Sequence, residues 1–196
     1  MRAEVLLAAG ALASTALSGP AAAQTVVELR VSTTKYRFVD LSHTFANRVM
    51  LDTLYLGVPG MNELYLGAGY QLRPANGISL APLLYFVGGK ENDERGACLA
   101  ASLSVDRAGW KVLGFAGHFF RTSGRVSDYT FVDALDLTRA LGRWELGASA
   151  GAYHTGGDLT ALAGPTVKRN DKRGSWALSA RFGSDTELRL LRVLSF

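Results

Sequence analysis

The sequence predicts an all-β fold, an antiparallel up-and-down transmembrane β-barrel of about ten strands, with eight or twelve strands as alternatives. Three observations support this prediction. Apolar residues alternate with small or polar ones, the alternating segments are about ten residues long, and each of the three Trp residues directly follows a turn. Successive side chains of a strand point to opposite faces, so this alternation gives one apolar face. A tilted strand crosses a bilayer in about 9–11 residues.

The first 23 residues are predicted to form a signal peptide that is cleaved during export. Residues 5–17 form an apolar run, Gly19-Pro20 ends it, and alanines at 21–23 match the small-residue pattern of a cleavage site. The run is shorter than the roughly 20 residues that a membrane-spanning helix needs. Cleavage after Ala23 leaves residues 24–196 as the expected mature chain.

Residues 43–196 are predicted to form the barrel. Turn sequences rich in Gly, Pro, Asn and Asp, such as RPANG and HTGGD, separate the alternating segments. Residues 24–42 also alternate and are interpreted as an extra strand or as a periplasmic segment. No run of 18 apolar residues follows the predicted cleavage site, which argues against a transmembrane helix there. The ten predicted strands cover residues 43–58, 63–72, 77–88, 96–105, 109–120, 128–139, 143–154, 158–168, 174–182 and 186–196.

The composition of the two strand faces indicates which solvent surrounds the barrel. In WELGASAGAY (residues 144–153), one face is apolar, whereas the other carries mainly Gly and Ser rather than the Lys and Glu that coat soluble sheets. A transmembrane barrel turns its apolar face to lipid and its small or polar residues to the lumen. The charged residues predicted to point into the lumen or to line its mouths are Glu63, Lys111, Asp136, Glu145, Lys168, Arg181, Glu187 and Arg189.

This inside-out assignment makes a prediction about substitutions. An Asp at Leu66, Leu146 or Leu178 is expected to impair membrane insertion, because those side chains are assigned to the lipid face. An Asp at Gly67 or Ser149, on the opposite face, is expected to be milder.

The Trp residues are predicted to anchor one membrane interface. Trp110, Trp144 and Trp176 begin the fifth, seventh and ninth predicted strands, which run in the same direction if the strands alternate up and down. Their rings then form one aromatic girdle. The longer and more charged loops, 88–96 and 121–128, fall on the opposite side of the membrane.

In its closing segment ELRLLRVLSF, the chain resembles the small outer-membrane β-barrels of Gram-negative bacteria. Leu188, Leu190, Leu194 and Phe196 match the alternating apolar last strand and C-terminal Phe of that class, whereas Arg192 departs from the pattern. The resemblance implies an outer-membrane location, contact with outer-membrane lipid and recognition by the barrel-assembly machinery. Phe196 is accordingly predicted to be a further interface anchor.

A search for catalytic groups finds no convincing site. His43, His118 and His154 all lack the His-x-Ser arrangement of outer-membrane phospholipases and lipid A deacylases, since Thr155 and Gly156 follow His154. Asp158 near His154 resembles the acid–histidine sites of omptin-type proteases only faintly. No metal-binding or nucleotide-binding motif is present, so neither a metal nor a cofactor is predicted.

The sequence therefore favours a barrel without enzymatic activity, with a structural or surface-binding role through its charged loops and a lumen that is closed or very narrow. A narrow channel for ions or small solutes is the alternative. A lipid- or peptide-hydrolysing barrel that uses His154 is a third reading. The modest net charge of +4 and its scatter over turns argue against a nucleic-acid partner. The sequence identifies no protein partner.

Overall fold

The computed structural model describes residues 23–89 and 93–196, so the predicted signal peptide up to residue 22 and residues 90–92 of a predicted loop lie outside the description. Within those ranges no helix is long and apolar enough to cross a membrane. The described residues form thirteen strands: β1 (Gln24–Ser32), β2 (Arg37–Thr44), β3 (Val49–Val58), β4 (Met61–Tyr70), β5 (Leu72–Ala75), β6 (Ile78–Gly89), β7 (Arg95–Arg107), β8 (Trp110–Ser123), β9 (Tyr129–Leu141), β10 (Trp144–Thr155), β11 (Asp158–Asp171), β12 (Gly174–Gly183) and β13 (Thr186–Ser195).

The strands close into one antiparallel barrel. Strands that follow one another along the chain pair with each other, except β4 and β5, and β1 pairs with β13, with Val26 opposite Ser195 and Ser32 opposite Arg189. Both β4 and the short β5 pair with β6, so they occupy one position in the circuit, which therefore has twelve positions. Closure pairs the twelve long strands on both edges, as lipid requires of a sheet, and only the short β5 pairs on one side.

The prediction of about ten strands is wrong, and the twelve-strand alternative is the correct one. The segment predicted as one strand over residues 43–58 is broken at residues 45–48, and residues 24–44 supply β1 and β2. The two turns that were missed contain neither Gly nor Pro. They use Lys35 and Arg48 in the left-handed region instead, with φ of 64° and 70°. Such backbone is uncommon for these residue types, so the turn at 33–36 carries little signal, whereas Asn47 marks the break near residue 47 that belongs to the twelve-strand alternative.

The two ends of the barrel differ in their connections. At one end lie the connections 45–48, 76–77, 108–109, 142–143 and 172–173, together with Gln24 and Phe196; we call this the Phe196 end. At the other end, the loop end, lie the connections 33–36, 59–60, 90–94, 124–128, 156–157 and 184–185. The backbone groups of Thr25 and Phe196 hydrogen-bond to each other at the Phe196 end, which joins the first strand to the last residue.

Side chains alternate between a buried interior and an exposed apolar exterior. On β6, Tyr85 is 1 % exposed, whereas the adjacent Phe86 is 74 % exposed. The pairing strand β4 repeats the pattern, because Tyr65 is buried and Leu66 is half exposed. An apolar outer surface combined with an interior that holds most of the buried charges is the arrangement of a barrel whose outside faces lipid.

Candidate functional site

A cavity of about 590 Å³ fills the loop-end half of the barrel interior. It begins between the connections at the loop end and descends to the middle of the barrel. Its wall is mainly apolar and aromatic, and the side chains that form most of it are Phe38, Leu54, Leu56, Phe115, Phe131 and Tyr153. A cavity of this size lies within the range of small-molecule sites in proteins.

The floor of this cavity is a network of ion pairs that spans the barrel from wall to wall. Its centre is Asp133 on β9, whose carboxylate pairs with Arg30 on β1 and, at 3.4 Å, with Arg189 on β13. The hydroxyl of Tyr36 donates to the same carboxylate at 2.6 Å. Because β9 lies five positions from β1 in the circuit of twelve, these contacts join nearly opposite walls.

The guanidinium groups of the floor are held by several contacts each. Arg30 also pairs with Glu28 and lies over the ring of Phe38, 4.3 Å from its centroid. The Nε of Arg181 donates to Glu187 at 2.8 Å. Positive groups in a barrel interior need such partners, because an unpaired buried charge is costly.

Arg189 is shared between both parts of the floor. It pairs with Glu187 at 3.3 Å as well as with Asp133, and its guanidinium lies 4.4 Å from the centroid of the Tyr36 ring. We call Glu28, Arg30, Tyr36, Asp133, Arg181, Glu187 and Arg189 the central network.

A second, smaller cavity of about 50 Å³ lies on the other side of the central network. Ser149, Lys168 and Ser179 are among its polar lining residues. Arg189 and Phe115 line both cavities, so the two spaces adjoin at the central network. The network is therefore the constriction of the lumen.

Asp133 is the central residue that the sequence analysis missed. The register of β9 shifts beside Asp133 against both neighbouring strands, between Val132 and Ala134 with β8 and between Val132 and Leu135 with β10, which is a β-bulge. Strict alternation from the predicted inward Asp136 assigns Asp133 to the lipid face. The bulge turns the side chain of Asp133 to the interior, where it belongs to the central network, and Asp136 also faces inward and lines the smaller cavity.

The other predicted lumen residues form a second charged group nearer the Phe196 end. Glu145 is 1 % exposed, accepts a hydrogen bond from Lys111 at 2.7 Å and lies 3.7 Å from Lys168. Asn170 and Thr138 donate to the same carboxylate. These residues line one wall and do not cross the lumen to the central network.

Glu63 lies apart from both charged groups. It is fully buried near the loop end and accepts hydrogen bonds from the hydroxyls of Tyr65 and Tyr129, each at 2.6 Å. Both tyrosines also line the large cavity. Glu63 therefore supports the aromatic wall from behind.

The predicted interface anchors lie together at the Phe196 end. Trp110 and Trp144 begin β8 and β10, and Trp176 is the third residue of β12. Each Trp is about half exposed, and Phe196 is 68 % exposed. Their role at a membrane interface stays a prediction.

The histidines lie away from the two cavities. His43 and His118 hydrogen-bond to Thr25 and Thr130, and His154 is exposed near the loop end. No histidine lines either cavity, so the cavities give no support to a hydrolytic use of His154. Within the described ranges, no group of three or more His, Cys, Asp or Glu residues is placed to hold a metal ion.

Comparison with known proteins identifies the fold. No family model matches the chain, and no curated protein sequence matches it. A solved "KdgM porin" superposes with a TM-score of 0.60 at 13 % identity, over 88 % of this chain and 99 % of that one. A "KdgM porin in complex with disordered oligogalacturonate" gives 0.60 at 12 %, over 88 % and 98 %. Pseudomonas aeruginosa OccK7 (OpdD) gives 0.45 at 13 %, over 82 % and 55 %.

These findings define the class of protein. The chain is an outer-membrane β-barrel with the fold of a porin. The expected structural or surface-binding role is wrong: the neighbours of the fold are porins, and the interior contains a large cavity instead of a filled core.

Proposed function

We propose that this protein is a narrow outer-membrane channel for small solutes. The single observation that carries the proposal is the pair of cavities, 590 Å³ and 50 Å³, on either side of the central network inside a closed barrel. Similarity to the KdgM porin supports the fold of a channel, and the cavities of this chain's own interior support a solute pathway. The proposal includes no catalytic step.

The shape of the interior limits the solute. Above the central network the wall is aromatic and aliphatic, and at the network the side chains of opposite walls touch through Arg30 and Asp133. A solute therefore passes only when these side chains move or when it is small. Ions and small, compact molecules fit this description better than long chains do.

The ligand of the structural neighbour does not transfer to this chain. One KdgM porin structure contains oligogalacturonate, which is an acidic sugar polymer. Recognition of such an anion needs cations that are available to it. Here Arg30, Arg181 and Arg189 each pair with a carboxylate of the central network, and Lys111 and Lys168 both pair with Glu145. We therefore propose neutral or cationic solutes instead.

The route to the outer membrane and the orientation of the barrel in it are parts of the proposal. Export through a signal peptide that is cleaved after Ala23, and insertion by the barrel-assembly machinery, stay predictions. We propose that the Phe196 end faces the periplasm, because short turns and termini lie on that side of bacterial barrels. The cavity mouth at the loop end then faces outward.

The proposal predicts ion conductance. Residues 24–196, refolded and inserted into a planar bilayer, are expected to give discrete conductance steps of uniform size. A heat-dependent shift on an SDS gel confirms beforehand that the barrel is folded. A folded barrel that stays silent at all voltages tested, and stays silent when the central network is removed, would show that the lumen is not a solute pathway.

The interior charges predict a preference for cations. Acidic side chains in the described interior outnumber basic ones: Glu28, Asp40, Asp52, Glu63, Asp133, Asp136, Glu145 and Glu187 against Arg30, Lys111, Lys168, Arg181 and Arg189. Rings of acidic side chains favour cations in channels. In a KCl gradient, the reversal potential is expected to lie toward that of K⁺.

A matched pair of variants tests the origin of this preference. Replacing the buried Asp40 and Asp52 by Asn is expected to shift the reversal potential toward that of Cl⁻. Asp171→Asn is the control, because Asp171 is exposed at the Phe196 end, where it pairs with Arg192. A wild-type channel that prefers Cl⁻ would contradict the charge argument while leaving the channel itself intact.

A further inference from the structure

Three Trp–Arg pairs recur on the outer surface at the Phe196 end. Trp110 lies opposite Arg139, Trp144 opposite Arg169, and Trp176 opposite Arg192, each time on two neighbouring strands. The guanidinium carbons lie 5.3, 5.7 and 4.9 Å from the centroids of the corresponding rings. This distance is that of a cation–π interaction. The same construction therefore occurs three times around one side of the barrel.

The pairs lie at a boundary between apolar and basic surface. Toward the middle of the barrel, exposed leucines such as Leu137, Leu146 and Leu178 follow on the same outer face. Toward the end of the barrel, the connections and strand ends carry exposed cations, namely Arg107, Arg143, Lys172 and Arg173. Trp and Arg prefer this boundary in membranes, because the ring and the methylene stem stay in apolar surroundings while the charge reaches the headgroups.

The three guanidinium groups differ in their protein partners. Arg192 forms an ion pair with Asp171. Arg139 and Arg169 form no ion pair with any carboxylate among the described residues, and both are exposed. Because both residues are exposed, the donors of each guanidinium fork are accessible from outside the barrel. Such a fork matches the geometry of a phosphate group.

We propose that Arg139 on Trp110 and Arg169 on Trp144 form two binding sites for the phosphate of an anionic glycerophospholipid, with phosphatidylglycerol as the lipid. The ring holds the guanidinium at headgroup depth, the two donors of the fork contact the phosphate, and the acyl chains pack on the leucines below. The third pair is a weaker site, because Asp171 already occupies the guanidinium of Arg192. This inference is independent of the proposed channel.

The chain provides its own reporters for a test. Its three Trp residues are the three members of these pairs, so the intrinsic Trp fluorescence of the barrel reports only on these positions. The barrel is refolded into vesicles of phosphatidylcholine with a minor fraction of phosphatidylglycerol. Brominated chains, which quench nearby Trp, are placed on one lipid or on the other at equal mole fraction. The ratio of the two quenching values measures which lipid is enriched beside the rings.

Brominated phosphatidylglycerol is expected to quench more strongly, with an enrichment of about threefold over its bulk fraction, because a cation at the membrane surface attracts anionic lipid. The excess is expected to shrink at high salt. Arg139→Gln together with Arg169→Gln is expected to remove most of it. Arg192→Gln is the matched control and is expected to keep most of it, since Asp171 already pairs with that side chain.

The outcomes separate clearly. Equal quenching by the two lipids, or an excess that survives in the Arg139→Gln and Arg169→Gln variant, would overturn the proposal. A loss as large in Arg192→Gln as in the double variant would show a general charge effect of this end and would also overturn it. Arg139→Lys with Arg169→Lys, folded by the heat-shift test, keeps the charge and is expected to restore part of the excess.

Discussion

Removal of the ion pair between Arg30 and Asp133 is expected to raise the single-channel conductance several-fold. The two side chains meet across the lumen, between nearly opposite strands, and so bridge the constriction. Replacing both by Ala is expected to widen the passage between the 590 Å³ and 50 Å³ cavities, and it leaves the net charge of the lumen unchanged. The effect is then on pore width and not on the electrostatic attraction of ions.

Both residues must change together. Asp133→Ala alone leaves Arg30 and Arg189 without a shared carboxylate, and breaking a buried pair from one side costs about 3–5 kcal/mol. Such a variant tests folding more than conductance. The double variant Arg30→Ala with Asp133→Ala removes one charge of each sign but leaves the buried Glu28 without Arg30, so we expect it to refold with a lower yield than the wild type, and conductance is compared only for barrels that pass the heat-shift test.

The control for this experiment is another Arg–Asp pair. Arg192 and Asp171 form an ion pair at the Phe196 end, outside the lumen. Replacing both by Ala is expected to leave the conductance unchanged. If the Arg30→Ala and Asp133→Ala barrel is folded and conducts no more than the wild type, the Arg30–Asp133 bridge does not limit the conductance.

The sequence predicted the type of fold because the strand signal is local. Alternation of apolar and polar residues can be recognised within one segment, without knowing which strands lie beside it. Nine of the ten predicted strands accordingly correspond to β4 and to β6 through β13. The count failed at two turns that lack Gly and Pro and instead place Lys35 and Arg48 in the left-handed region, although Asn47 marks the second of them. Two further strands widen the barrel, since diameter grows with strand number. That width is why a cavity is present where a closed lumen was expected.

The centre of the constriction could not be predicted for a different reason. A β-bulge changes the face of every residue beyond it, and its position depends on pairing with strands far away in the sequence. Asp133 therefore had no local signal, although Asp136 three residues later did. Ion pairs such as that of Arg30 with Asp133 join positions 103 residues apart in the printed sequence. They follow from closure of the barrel and not from any motif.

The last prediction tests which face meets lipid, and the structure selects the best positions. Leu66 lies midway along β4 and is 51 % exposed on the outer surface. Leu66→Asp is expected to lower the free energy of unfolding in vesicles by about 2 kcal/mol. This value is at the lower end of what a charged side chain on the lipid face costs at the bilayer midplane, because Asp costs less than Arg or Lys. Leu146→Asp is expected to cost less, because Leu146 is two residues from Trp144 and so lies closer to the interface.

The inward control must be chosen with care, because the structure rules out both positions proposed from the sequence. A Cβ atom at Gly67 would lie 2.3 Å from the Tyr85 ring, so Gly67→Asp is not mild, and Ser149 lies directly opposite Asp136, where a new carboxylate meets a like charge. Ser179 faces the smaller cavity and lies opposite Arg189, so Ser179→Asp gains a cationic neighbour. Urea unfolding in lipid vesicles is expected to rank Leu66→Asp as the most destabilised and Ser179→Asp as the least. The reverse order would mean that the apolar face, and not the charged one, lines the interior.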